Sequence, residues 1–371
     1  MSASFKRSRV SRPTQSERKF YTTEHPLRRR VRVGYPAGTG DLILRTELNW
    51  DRDVEPVETD GKGIWTFDIE SNNPFLYFKP CLVSAGKFHW AKGDNQLLIM
   101  TEDDRRCCFP YFFDAEEGRF SPLVTFDSPI LGREHRVRVY APPGYEENTL
   151  AEYPVAFMQD GQNLFFPEEA FQGRDWGVDS THWQMRSMGA VDDLILVGIY
   201  SAGERRIDEY TKPGYENYAR SLVEEIVPEL ERRMRVGTGR RNRSVWGSSL
   251  GGVVSFYAVW QYPEIFGAAM CMSSTFSHKD DLLERVLTEE PRDVAFYLDS
   301  GWPEDNYEAT LSMAMALVSR GWIWGHDLMH LAFPHARHGE PDWAMRFHIP
   351  LQMLAGSVAR YSRAAFPTLP E

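Results

Sequence analysis

The sequence is poor in cysteine, and its four thiols match neither a zinc site nor a disulfide framework. They are Cys81, Cys107, Cys108 and Cys271, and the two that are adjacent in the chain are not expected to bridge each other. Such sparse, unpaired cysteine usage is typical of a reducing compartment, so we expect a cytoplasmic protein.

Long apolar runs are also lacking, and so is an excess of positive charge outside the N-terminus. No stretch approaches the roughly 18 apolar residues of a membrane span, and no apolar centre typical of a signal peptide lies near the N-terminus. The formal net charge is −11, although residues 1–32 carry ten Lys and Arg against two Glu. This acidic body argues against nucleic acid as a partner, and the lack of an apolar span argues against a membrane. Segment 1–30 predicts a disordered basic tail.

Two kinds of pattern follow the tail. Residues 31–112 read as short strands separated by turn clusters such as "ETDGKG", which predicts a small antiparallel β-sandwich. Residues 113–123 read as a linker. From 124 to 371, short apolar strands alternate with helical segments, which predicts a doubly wound, mostly parallel α/β sheet.

The turn in "NRSVWGSSLGG" is the strongest chemical signal in the sequence. It places Ser249 between a predicted strand and a predicted helix, with Gly247 and Gly251 two residues away on either side. A nucleophilic serine on a sharp strand-to-helix turn needs small residues at those positions. We therefore predict that Ser249 is a nucleophile; Ser248 fits the turn less well.

A nucleophilic serine needs a histidine base, which is expected in the loop after the last strand. His338 lies in that loop and is our first candidate, with His335 as the alternative. His326 and His330 have the spacing of a helical zinc pair, but they flank a strand-like run, so we expect no metal site.

The acid that orients the histidine should follow the strand "DVAFYLDSG". Glu304 and Asp305 project from the loop after Gly301, whereas Asp299 precedes the turn. We rank Glu304 first, Asp305 second and Asp299 third.

Further site residues follow from the loops near this edge of the sheet. The backbone N–H groups of Gln162 and Leu250 are the expected donors to a tetrahedral oxyanion. Four side chains are candidates for substrate contact, and the two arginines would favour an anionic substrate: Asp160, Arg205, Arg206 and Trp176.

Taken together, "VRVYAPPGY", "YPVAFMQDGQNLFF", the "WGSSLGG" turn, "YLDSG" and "HGEPDWAMRF" resemble a known esterase family. It includes enterochelin esterases, feruloyl esterases, S-formylglutathione hydrolases and mycolyltransferases, and the resemblance covers about residues 124–355. It implies an α/β-hydrolase fold with Ser249, His338 and Glu304 as the triad. The N-terminal region resembles the immunoglobulin-like domain of the enterochelin-esterase branch.

These observations predict a serine esterase that cleaves a small-molecule carboxylic ester, of the siderophore or aryl type, through an acyl-enzyme. The chemistry requires no cofactor, and we expect none. Two other interpretations stay open: an acyltransferase on the same triad, and a ligand-binding protein with a vestigial esterase domain.

Overall fold

The computed structural model describes residues 22–101 and 107–355. The chain forms two compact units, the first ending at Phe112 and the second beginning at Phe113. Most of the predicted basic tail lies outside the described residues, but the first strand begins at Leu27, so residues 27–30 do not belong to a tail. Within the described ranges, no helix is both long enough and apolar enough to cross a membrane.

The described part of the first unit consists of short strands in two sheets. The strands are β1 (Leu27–Gly34), β2 (Asp41–Thr46), β3 (Asn49–Val54), β4 (Glu58–Thr59), β5 (Ile64–Ser71), β6 (Phe75–Ser84), β7 (Lys87–Trp90), β8 (Gln96–Ile99) and β9 (Cys107–Cys108). One sheet has the order β4-β5-β1-β9, and the other has the order β3-β2-β6-β7 with β8 also paired to β6. The pairs are antiparallel except β1 with β9.

Alternation of side chains explains why these two sheets pack together. In β1, Val31 and Val33 are buried while the intervening arginine faces solvent, as expected for a strand with one covered face. The buried residues of β1 and β5 join Leu44 and Phe78 of the other sheet in one apolar core.

The second unit is built on a nine-stranded sheet in the described residues. Its strands are β10 (Arg119–Phe120), β11 (Val124–Ser128), β12 (Arg133–Ala141), β13 (Val155–Gln159), β14 (Ile195–Ile199), β15 (Arg243–Ser248), β16 (Ala268–Met272), β17 (Ala295–Trp302) and β18 (Leu328–Pro334). The order is β10-β12-β14-β13-β15-β16-β17-β18, with β11 paired to β12. The six strands from β14 to β18 in this order are parallel, as the sequence predicts.

Helices alternate with these strands along the chain. They are α1 (Val178–Ser187), α2 (Arg206–Tyr210), α3 (Gly214–Ser221), α4 (Val227–Arg233), α5 (Leu250–Gln261), α6 (Leu282–Thr288), α7 (Tyr307–Ser319), α8 (Glu340–Arg346) and α9 (His348–Ala355). A π-helical turn at Leu222–Ile226 joins α3 to α4. The protein is therefore a mixed α/β fold.

Both faces of the central strands are covered by helices. Register places two rows of side chains side by side: Phe157, Val245, Ala269 and Phe296 on one face, and Met158, Trp246, Met270 and Tyr297 on the other. In the first row, Phe296 stacks on Phe256 of α5 with ring centroids 4.3 Å apart. The second row joins Val178 of α1 and Leu351 of α9 in a single buried cluster. Burial on both faces explains why these strands are apolar without interruption.

Replacing Phe296 by Ala should lower the free energy of unfolding by about 3–5 kcal/mol, because it leaves a cavity against α5. Phe171→Ala is the matched control, because this phenylalanine is 62% exposed, and should change that free energy by less than about 1 kcal/mol. Urea unfolding followed by circular dichroism measures both values. Equal effects of the two substitutions would contradict this description of the core.

Candidate active site

Ser249 occupies a strained turn between β15 and α5. Its backbone has φ 55° and ψ −127°, a conformation that residues with side chains rarely adopt. A Cβ atom added to Gly247 would lie 2.4 Å from the carbonyl of Gly251, and one added to Gly252 would lie 2.0 Å from the Ser274 hydroxyl. The glycines of the motif are therefore needed because the turn leaves no space for side chains.

Three side chains meet at the carboxyl edge of the parallel strands. The Oγ of Ser249 lies 2.9 Å from Nε2 of His338, and Nδ1 of His338 lies 2.8 Å from Oδ1 of Asp305. Asp305 follows β17 and His338 follows β18, so consecutive strands deliver the acid and the imidazole to one place. Because the carboxylate accepts from Nδ1, Nε2 is free to accept the proton of the serine hydroxyl.

The carboxylate of Asp305 is fully buried and held by several donors. It accepts hydrogen bonds from the backbone N–H of Gly301 at 2.7 Å, from that of Asn306 at 2.8 Å, and from the Ser273 hydroxyl. Burial by itself would raise the pKa of Asp305, but the hydrogen bonds from His338, Ser273 and Gly301 outweigh it and lower that pKa to about 2.

Ser273 links this carboxylate to a second buried group. Its oxygen accepts hydrogen bonds from Trp343 Nε1 at 2.9 Å and from Arg346 Nη2 at 2.6 Å. Since two donors already point at the oxygen, the single hydroxyl proton of Ser273 is directed to Asp305. Arg346 in turn pairs with Asp299 through two contacts of 3.0 Å.

The structure revises the ranking of the candidate acids. The side chain of Glu304, ranked first from the sequence, is 73% exposed and lies 3.6 Å from Arg337 rather than on His338. Asp299, ranked third, is buried against Arg346. Asp305 is the acid in contact with His338, because its side chain turns back toward the Gly301 N–H while the neighbouring Glu304 points to solvent.

The remaining histidine and serine alternatives have other partners or positions in the fold than Ser249 and His338. His335 is exposed at φ 68°, and its backbone N–H donates to the Trp302 carbonyl. Ser248 ends β15 and is buried. His330 is buried against the Thr310 hydroxyl, and within the ranges 22–101 and 107–355 no three His, Cys, Asp or Glu residues are grouped to hold a metal.

The predicted oxyanion donors lie in the turn after β13 and at the start of α5. Gln162 is held by two hydrogen bonds between its side-chain amide and Ser201, of 3.0 and 3.1 Å. Leu250 is the first residue of α5, where N–H groups have no partner within the helix. In the part of the chain that the structure describes, the backbone N–H groups of Gln162 and Leu250 donate to no other group.

The predicted substrate-contacting side chains behave differently from one another. Asp160 and Arg206 form a two-pronged ion pair, with N–O distances of 2.6 and 2.8 Å. Arg205 donates to the Leu131 carbonyl and is half exposed. Trp176 is 6% exposed and packs in the core, so its predicted place in a substrate pocket is not supported. Sequence reasoning missed Ser273, Trp343 and Arg346, whose partners are distant in the chain.

Comparison with known proteins gives a family match and several relatives. The model of the family Esterase, described as "Putative esterase", matches residues 128–329, more than half of the chain. "Uncharacterized protein YbbA" of Bacillus subtilis is 28% identical over 160 residues, which is 39% of this chain and 58% of that protein. "Endo-1,4-beta-xylanase/feruloyl esterase" of Xylanibacter ruminicola is 22% identical over 313 residues, covering 77% of this chain and 38% of that protein.

Solved structures also match the fold. The enterobactin esterase of Shigella flexneri, in the presence of enterobactin, has a TM-score of 0.54 and 15% identity, covering 86% of this chain and 91% of that one. At this identity the likeness concerns the fold. Against the two curated relatives above, the chain spans less than two thirds of each relative's length.

A serine-directed fluorophosphonate should label Ser249, because His338 is placed to take the proton of its hydroxyl. Asp305→Asn should slow labelling about 10³-fold or more, since the imidazole loses its orienting carboxylate. Glu304→Gln is the matched control and should stay within about twofold. Intact-protein mass spectrometry over time measures the rates, and a larger effect of Glu304→Gln than of Asp305→Asn would restore the original ranking.

The depressed pKa of Asp305 also predicts how stability depends on pH. The pKa is about 2 in the folded state against 3.8 ordinarily, so ionisation of Asp305 stabilises the fold fully above about pH 4. This contribution is lost as pH falls toward 2. The difference in unfolding free energy between the wild type and Asp305→Asn should therefore shrink from pH 6 to pH 3. The Phe296→Ala difference, which involves no titrating group, serves as the control, and a parallel pH dependence of both would contradict the assignment.

Proposed function

Because the chain belongs to the Esterase family, a family of carboxylic ester hydrolases, we propose that it is a serine esterase that cleaves small-molecule esters with Ser249 as nucleophile. The observation that carries the proposal is the position of His338 between the Ser249 hydroxyl and the Asp305 carboxylate, at 2.9 and 2.8 Å. The match at residues 128–329 includes Ser249 and Asp305, and His338 lies just beyond it.

Acylation begins when the Ser249 oxygen attacks the ester carbonyl carbon and its proton moves to Nε2 of His338. Asp305 stabilises the imidazolium that forms. The carbonyl oxygen becomes an oxyanion, which the N–H groups of Gln162 and Leu250 bind. When the tetrahedral intermediate collapses, the carbon–oxygen bond to the alcohol breaks, and His338 returns the proton to the leaving alkoxide.

Deacylation repeats these steps with water. His338 removes a proton from a water molecule as its oxygen attacks the acyl carbon, and the same two N–H groups bind the second oxyanion. Collapse releases the carboxylic acid and returns the proton to Ser249. The His338 side chain is one third exposed, which favours water over an acyltransferase's second substrate as the acyl acceptor. The complete set of partners also argues against a vestigial site.

We also propose a fold assignment for each unit, a substrate class and a cellular location. The order of the parallel strands and the turn at Ser249 support an α/β-hydrolase unit, and the two sheets that share a core support an immunoglobulin-like sandwich before it. Siderophore-type and aryl esters are the proposed substrate classes, since similar proteins are named enterobactin and feruloyl esterases. We propose a cytoplasmic location, with no cofactor, nucleic acid or membrane involved.

Hydrolysis of a short-chain aryl ester tests the proposal. The wild type should cleave 4-nitrophenyl butyrate, and Ser249→Ala and His338→Ala should each lower kcat by about 10⁴-fold or more, because each removes a group that acts directly on the reacting atoms. Ser312→Ala, at an exposed position of α7, is the control for a serine replacement and should leave kcat unchanged. Full activity in Ser249→Ala, or none in the wild type, would refute the proposal.

A further inference from the structure

Four arginines around the proposed site already have partners. The guanidinium of Arg206 makes two short contacts with Asp160, and this carboxylate lies against the serine turn, since a Cβ on Gly251 would be 3.0 Å from its Oδ2. An arginine held in this two-pronged geometry has its best donors occupied. Arg206 is therefore not free to bind an anionic group of a substrate. The sequence-based reason for expecting an anionic substrate at Arg206 is thereby removed.

Three further guanidinium groups near the site have partners as well. Arg205 donates to the Leu131 carbonyl and lies 3.5 Å from Glu209. Arg337, which directly precedes His338, lies 3.6 Å from Glu304. Arg346 is buried against Asp299. An anionic substrate group that approached any of these four arginines would compete with the partner that the arginine already has.

Glu340 is the carboxylate that remains in excess. It lies two residues after His338, is half-buried, and accepts a hydrogen bond of 3.0 Å from the side-chain amide of Asn163. Asn163 follows the predicted oxyanion donor Gln162, so Glu340 joins the histidine loop to the oxyanion loop through a neutral donor. Burial raises the pKa of Glu340 and the nearby charge of Asp160 adds to that rise, while Arg206 and His338 oppose it. Asp160, Arg206 and His338 therefore all act electrostatically on the carboxylate of Glu340.

We propose that the unpaired charge of Glu340, beside an Arg206 already neutralised by Asp160, makes this site select esters without an anionic group near the scissile bond. The proposal rests on the esterase function proposed above and narrows its substrate class to neutral esters. A ferric tris-catecholate complex carries net negative charge, so neutral aryl esters fit the site better than that complex does.

The physical basis is repulsion in a partly dehydrated site. Two like charges at the same separation repel each other about four times more strongly near a protein surface than in bulk water. An anionic substrate would pay this cost on binding and again when the oxyanion forms. Because the effect is electrostatic, 0.5 M salt should screen the part of the repulsion that acts through solvent.

The test compares methyl 4-acetoxybenzoate with 4-acetoxybenzoate, which share the scissile acetate ester and differ by one negative charge. At pH 8, the wild type should show a kcat/KM at least about tenfold higher for the neutral ester. Glu340→Gln keeps an amide oxygen that can accept from Asn163 but removes the charge. It should reduce that preference about tenfold and keep kcat/KM for the neutral ester within about threefold.

Glu308→Gln, an identical chemical change at an exposed position of α7, is the matched control and should leave the preference unchanged. Three results would overturn the inference: equal rates of the wild type on both esters, an unchanged preference in Glu340→Gln, or an equal loss on both esters in that variant. The last result would assign Glu340 only to holding the Asn163 loop. The proposed function is judged separately, because it requires only that Ser249→Ala lose the neutral-ester activity.

Discussion

The hydroxyl of Ser273 is the interaction on which the geometry of the candidate site depends. It receives hydrogen bonds from Trp343 and Arg346 and gives its only proton to Asp305. A water molecule in that place could direct its protons to other acceptors. The Ser273 hydroxyl cannot, because its two donors leave Asp305 as the direction for its single proton. The fixed carboxylate of Asp305 in turn orients the imidazole of His338. It also selects the tautomer whose Nε2 can accept a proton from Ser249. Three segments, the turn that follows β16, α8 and the loop after β17, thus meet at one oxygen atom.

The buried ion pair of Asp299 and Arg346, next to the Ser273 hydroxyl, is not explained by a gain in folding stability. Asp299 and Arg346 are both almost completely buried, and removing two charges from water costs several kcal/mol per ion, which a Coulombic contact does not reliably recover. What offsets the cost is a set of hydrogen bonds. The Tyr297 hydroxyl and the Ser273 N–H both donate to Asp299, while Arg346 donates onward to Ser273. The result is a fixed donor aimed at the neighbour of the acid, an arrangement that apolar residues of the same volume could not supply.

The sequence predicts those parts of the site that a few consecutive residues determine. The turn at Ser249 depends on glycines within three positions, and the steric reason for them is visible in the motif itself. The strands are recognisable because burial on both faces requires continuous apolar runs. The acid could not be chosen this way, because Glu304 and Asp305 are adjacent and only the direction of the loop after β17 separates a solvated side chain from a buried one. Arg346 and Ser273, 73 positions apart, meet only in the fold.

The same limit applies to charge. Arg206 in the sequence is a cation next to a predicted strand end, and a free cation there would attract an anion. In the fold, however, Asp160, 46 positions earlier, pairs with this guanidinium and neutralises its charge. The net field at a site depends on which charges remain unpaired after folding, not on which are present in the sequence. Here the remaining charge is the carboxylate of Glu340, two residues after His338 in the chain and hydrogen-bonded to Asn163 of the oxyanion loop. That carboxylate would oppose further negative charge on the substrate, so it restricts which esters can react without taking part in the reaction.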